Sequence, residues 1–213
     1  MIDPASIELH QFITKWYGKP DRSPEIGGRG YTQLPAPLQA WHELSTRWST
    51  PLVRLKKILT PDEIIMRDGK AIFMTDPGDA IWAFDPESPM DVYEGRLYGE
   101  WVELPESLPE FLTHNAMNEA AHNAPHTRSC DSVEDTQIAE IVAPMTEVAF
   151  GGWQWPRPGH RIFMSETLIA DIGPAMEDRA PWGNKPGHSE VQIGATTSSA
   201  LSYLNDIPEI DWY

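Results

Sequence analysis

The sequence predicts an α+β fold: an antiparallel twisted sheet flanked by helices, followed by a second strand-rich C-terminal portion. Three observations predict it. Between residues 63 and 103, short apolar runs follow one another with turn residues between them and no intervening helix. Segments with helical periodicity bracket that stretch, over 36–49 before it and 106–120 after it. Further short apolar runs follow residue 137, again without long helices between them.

The elements can be justified in order. In "SIELHQFITKWY" (6–17), Ile7, Leu9, Phe12, Ile13 and Trp16 fall largely on one helical face, and Ser6 is placed to cap the start. Gly18, Pro20, Pro24, Gly27, Gly28 and Gly30 then read as a loop. In "LPAPLQAWHELSTRWS", Leu38, Trp41, Leu44, Ser45 and Trp48 recur at helical spacing, and the early prolines suit a first turn, where N–H groups lack partners anyway. The runs "EIIM", "AIFMT", "AIWAFD", "MDVYE" and "YGEWVEL" read as a meander. Asp68-Gly69 and Pro77-Gly78 supply its turns. A helix with Leu108, Phe111, Leu112 and Ala116 on one face follows. Residues 122–137 are polar and read as a loop or linker, so the chain is expected to divide into 1–125 and 126–213. In the later part, "TEVAF", "HRIFMS", "TLIADI" and "EVQIGAT" read as strands and "SSALSYLND" as a short helix.

Composition narrows the function. The chain of 213 residues is 40% hydrophobic and has nine tryptophans, enough for a sizeable aromatic core. Its net charge is -16, and the excess acid is spread over both parts. Such a surface repels phosphate backbones and anionic lipid, so neither nucleic acid nor membrane is an expected partner. A single cysteine, Cys130, forms no intramolecular disulfide, and the N-terminus lacks a basic-then-apolar leader. A cytoplasmic location is therefore expected.

From Leu34 to Leu112 the chain resembles the Smi1/Knr4 (SUKH) superfamily. The residues that carry the likeness are Leu34-Pro35 opening a helix with Trp41, then "AIFMT", the acidic turn "DPGD" and "AIWAFD". Trp101 on a later strand and the ending Ser107, Leu108, Glu110, Phe111, Leu112 complete it. The glycine-containing "NG" or "GG" frequent after the second helix in that group is absent here, where "TRWSTPLVRL" stands. The resemblance implies an α+β domain over 1–125 and a non-enzymatic immunity protein that binds and neutralises a cognate bacterial toxin domain, such as a basic nuclease. A regulatory interaction scaffold is the alternative role it implies.

Individual residues are weighed against that reading. Trp82 shares a strand face with Ala80 and Phe84 and is expected in the core. Asp76, Asp79, Asp85, Glu87 and Asp91, with Glu94, gather around strand ends. They read either as a solvated edge or as a negative patch for a basic partner, which would steer association. Trp155 in "FGGWQWPRPGH" is a possible aromatic anchor, although burial of Trp153 and Trp155 is the favoured reading. His122, His126 and Cys130, with His114 upstream, are the metal or nucleophile candidates of a small-enzyme alternative. Pro125 breaks their helical spacing, so no metal, cofactor or catalytic residue is expected. "GGRG" at 27–30 has no strand before it and no Lys-Ser/Thr after it, and reads as a loop rather than a phosphate cradle.

Overall fold

A computed structural model describes residues 1–24, 30–152 and 154–213. Gly27 and Gly28 of the expected loop, and Trp153, lie outside the described residues. The fold is α+β. Among the described residues the strands form two antiparallel sheets, of six and five strands. The chain separates into two compact units, Ile7–Ala116 and Met117–Tyr213, the latter joined by Met1–Ser6.

In the Ile7–Ala116 unit, α1 is Leu9–Tyr17. Glu8 caps it by accepting from the N–H groups of His10 and Gln11 at 3.1 and 2.7 Å. Ser6, the expected cap, instead closes a short 3-10 turn on the Asp3 carbonyl. Helix α2 is Ala36–Ser45, with the early prolines at its start and Leu38 and Trp41 buried. It stops short of the expected residue 49. Trp48 lies beyond the helix, buried, and donates to the Gly18 carbonyl at 2.9 Å.

The sheet follows as β1 (Lys57–Ile58), β2 (Ile65–Arg67), β3 (Lys70–Thr75), β4 (Ala80–Phe84), β5 (Asp91–Arg96) and β6 (Trp101–Ser107). Strands β3 to β6 pair in sequence, and β1 and β2 both pair with β3. Asp68 and Gly69 take left-handed φ of 51° and 78° in the β2–β3 turn, the conformation that an Asp-Gly hairpin turn needs. All five residues of β4 are buried, which is why it reads as one apolar run without alternation. Ile72, Ile81 and Ala83 form one cluster with Leu59. Trp82, Phe73 and Phe84 form an aromatic cluster with Phe111 of α3 (Leu108–Asn123). Ser107 and Glu110 cap α3: the Glu110 carboxylate accepts from the Ser107 N–H and hydroxyl at 2.8 and 2.7 Å. Pro109 sits in the first turn, where its missing N–H costs nothing.

Helix α3 continues to Asn123, and the border between the units falls within it, between Ala116 and Met117, not at the expected 125/126. The expected loop over 122–137 is corrected as well. His126–Glu134 is strand β7. Its only buried residues are Cys130 and Val133, so it lacks the apolar alternation that marks a strand in sequence. In the Met117–Tyr213 unit, β7 is followed by the single-turn helix α4 (Ile138–Ile141), β8 (Thr146–Glu147), β9 (Arg161–Met164), β10 (Leu168–Met176) and β11 (Asn184–Ala195). The sheet order is β7-β11-β10-β9-β8. "SSALSYLND" is a 3-10 helix over Ser198–Asp206. One sheet face packs Ala170, Ile172, Val191 and Ile193 against Ile138, Ile141, Leu201 and Leu204. The second half of α3 lies over the other face. Gln192 Nε2 donates to the Ala121 carbonyl at 3.1 Å. A Cβ on Gly194 would stand 2.6 Å from the Ala120 carbonyl oxygen, so only glycine admits the helix there.

Candidate functional site

The acidic candidates occupy both ends of β4. Asp76 and Asp79 precede the strand and Asp85, Glu87 and Asp91 follow it, with Asp79 and Asp85 roughly 20 Å apart at the usual strand rise. They are not one edge. Several also serve local structure. Asp76 accepts from the Ala80 N–H at 2.9 Å. Asp79 pairs with Arg96 at 2.5 Å. Asp85 accepts from the Glu87 N–H at 2.9 Å and sits 3.4 Å from Lys70 Nζ. The backbone hydrogen bond from Glu87, with help from Lys70, holds the Asp85 carboxyl below its ordinary value. Glu87 and Asp91 are exposed. Trp82 is fully buried, and its indole N–H donates to the buried Glu94 carboxylate at 3.0 Å.

The Asp79 end carries a feature absent from the sequence reading. Arg67, at the end of β2, donates to the carbonyls of Arg96, Leu97 and Gly99 at 2.7, 2.8 and 3.2 Å. Its guanidinium also lies 4.0 Å over the Trp101 ring. Arg67 thus clamps the β5–β6 turn, and the Leu97 N–H adds a bond to the Asp79 carbonyl at 2.8 Å. From this clamped turn Tyr98 stands 97% exposed, with Leu97 and, on β6, Val102 also exposed.

The Met117–Tyr213 unit holds a different kind of site, a cavity of about 180 Å³ beside a buried ionic network. Its hub is Asp171 on β10, whose side chain is 4% exposed. One Asp171 oxygen accepts from His160 Nδ1 at 2.9 Å. The other accepts from Asn118 Nδ2 at 2.6 Å and lies 3.5 Å from His122 Nε2. His160 Nε2 faces Glu190 Oε1 at 3.3 Å, and Arg157 Nη2 donates to Glu190 Oε2 at 2.7 Å. Gly173 makes the ring's position possible: a Cβ there would fall 2.2 Å from His160 Nε2.

The network sets its own charges. Burial alone pushes the His160 imidazole down, but hydrogen bonds to Asp171 and Glu190 outweigh it and raise its pKa to about 9. Burial likewise raises Asp171, yet the His122 and His160 hydrogen bonds win and hold it below its ordinary range. Glu190 is also lowered: burial opposes the shift, and His160 and Arg157 overcome it. At neutral pH His160 is therefore an imidazolium between two carboxylates.

None of these network residues except His122 was a candidate from the sequence. The available signal was Asp171 itself, an acid inside the apolar run "TLIADI", where an unpaired charge is costly. Trp155, the aromatic anchor candidate, lines the cavity, in a different unit from the acidic candidates Asp76, Asp79, Asp85, Glu87 and Asp91. The metal candidates are dispersed. His114 belongs to the Ile7–Ala116 unit, where its Nδ1 lies 2.9 Å from a Glu106 oxygen, while His122 and Cys130 line the cavity and His126 is exposed. Among the described residues no group of three or more His, Cys, Asp or Glu side chains is arranged to hold a metal ion, and no helix is long and apolar enough to cross a membrane. No known family, characterised protein or solved structure gives a significant match to this chain.

Proposed function

We propose that this protein is a non-enzymatic immunity protein that neutralises a cognate bacterial toxin domain, most suitably a basic nuclease, by docking through the Tyr98 end of its six-stranded sheet. The observation that carries the reading is the clamped turn. A tyrosine almost fully in solvent gains nothing for folding, yet three Arg67 hydrogen bonds fix the backbone that presents it. A rigid aromatic offered in advance loses little freedom on binding, which is how interface anchors contribute most of their energy. Leu97 and Val102 extend the apolar surface, and Asp76, Asp79 and Glu100 lie at the same end of the sheet. With a net charge of -16, the protein attracts a basic surface before contact. The resemblance over Leu34–Leu112 supports the same role.

Co-expression with a toxin domain encoded in the adjacent reading frame tests the proposal. Wild-type protein should restore growth, and failure to protect removes the immunity reading. Tyr98→Ala should weaken binding by about 2 kcal/mol, mainly through faster dissociation. Asp79→Asn should act mainly on the association rate at low salt. Equal protection and affinity in a Leu97→Ser, Tyr98→Ala variant would move the contact surface elsewhere.

A further inference from the structure

We infer that the cavity of the Met117–Tyr213 unit is a binding site for a small organic cation, a guanidinium or alkylammonium head, seated between Glu190, Asp131 and the Trp155 ring. The argument is an inventory of what the walls offer. The Asp171 carboxylate is committed to His160 Nδ1 and Asn118 Nδ2. Beside the Ser129 hydroxyl, which donates to the Tyr213 carbonyl at 3.4 Å, the charged groups left on the walls are acceptors. Gln192 spends one of its two amide N–H groups on the Ala121 carbonyl, and its amide oxygen adds an acceptor. Glu190 is 32% exposed, and each of its oxygens, engaged once by His160 or Arg157, keeps acceptor capacity. Asp131 takes one hydrogen bond from the Tyr213 hydroxyl on Oδ1 and keeps a second oxygen. A ligand that brings N–H donors complements the Glu190, Asp131 and Gln192 oxygens.

Charge agrees with hydrogen bonding. Three carboxylates, Asp131, Asp171 and Glu190, line the cavity. His160 and Arg157 balance two of them. His122 lies in the last turn of α3, whose terminal carbonyls add partial negative charge on the same side. Trp155, Pro156, Val191 and Cys130 supply the apolar wall. A flat guanidinium or an alkylammonium stem suits such a wall, and cations favour the indole face. The cavity, about 180 Å³, has room for one such head.

The test titrates the full chain, selectively 15N-labelled in tryptophan and histidine, with methylguanidinium and, separately, propylammonium. Saturable shifts of the Trp155 indole and His122 ring signals are expected, with Kd on the order of 1 mM. Glu190→Gln and Asp131→Asn should each weaken binding about tenfold, the usual loss for a charged hydrogen bond. Asp131 lies on the exposed side, so its variant serves even if Glu190→Gln disturbs the fold. A Gly-Arg-Gly peptide distinguishes the source. Tighter binding of the peptide than of methylguanidinium assigns the cation to a protein side chain, and the reverse assigns it to a free small molecule. No saturable shift up to about 20 mM, the same signals moving with acetate instead, or undiminished binding in both variants would each overturn the inference. None of these outcomes bears on toxin protection, so the two readings fail separately.

Discussion

Both units bury ionisable side chains, Glu94, Glu106 and His114 in one and Asp171 and His160 in the other, but around different centres. In Ile7–Ala116, Trp82, Phe73, Phe84 and Phe111 meet with ring centroids 5.7–6.2 Å apart. In Met117–Tyr213 one sheet face is apolar, but the face under α3 encloses Asp171, His160 and Asn118, with Glu190 and Arg157 partly exposed beside them. Burying rings yields stability that depends little on pH and not at all on a partner. A buried ionic network yields less, because desolvation offsets much of the attraction, and what it yields depends on protonation. Its return is geometry: two histidines and a carboxylate held in fixed positions around a cavity.

That contrast can be broken experimentally. The largest effect is expected from Trp82→Ala, which empties a fully buried aromatic site and should cost about 3–5 kcal/mol in denaturant melts. The loss should be the same from pH 6 to pH 10. A melt unchanged by the substitution would contradict the aromatic core.

Asp171→Asn should follow, at about 3 kcal/mol, because it leaves the buried His160 without its main counter-charge. Its signature is the pH response. The His160 pKa is raised above its unfolded value, so its stabilisation is fully present below about pH 6.5 and is lost as pH rises through about 9. Asp171 and Glu190 are lowered, so their contribution is present above the ordinary carboxylate range and is lost as pH falls below it. Wild-type stability should therefore decline between pH 6.5 and 9, and Asp171→Asn should flatten that alkaline limb. A parallel limb in both proteins would assign the decline to other groups.

The smallest of the three is Gly173→Ala, at about 1–3 kcal/mol, the range for forcing atoms into a filled site. The added methyl would occupy the His160 ring position, so this variant should also lose part of the alkaline limb. Full stability with an intact limb would show that the ring can sit elsewhere.

The same contrast explains what was legible in the sequence. Helices α1 to α3 and strands β3 to β6 follow from apolar runs, turn dipeptides and caps, because burying rings and aliphatic chains leaves a periodic trace. The run "AIWAFD" announced β4, and Trp82 is where its spacing places it. Strand β7 left no such trace, since its edge position buries only Cys130 and Val133. The cavity was the least legible part. Asn118, His160, Asp171 and Glu190 come from separate elements, and pairing registers, not sequence proximity, bring them together. His122 was noticed for its spacing to His126 and Cys130, yet its neighbour in space is Asp171, 49 positions away. The acidic residues lie at strand ends, and their clustering in sequence hides that β4 holds them apart.

One irregularity in β3 governs how this chain can be edited. Ile72 pairs with Ala83 and Met74 with Trp82, so Phe73 is an extra residue between two consecutive pairs. Phe73 and Met74 are nonetheless both fully buried, and the Phe73 ring meets Phe111 edge-on at 5.7 Å. Both faces of β3 are covered here, and the bulge changes which of them each of these two adjacent large side chains meets. Removing a residue here would make the ladder regular and the interior hollow. Length changes are consequently confined to the loops, and the surplus residue works as a lock on strand alignment: a slip that evens out the pairing must first displace a fully buried phenylalanine from its contact with Phe111.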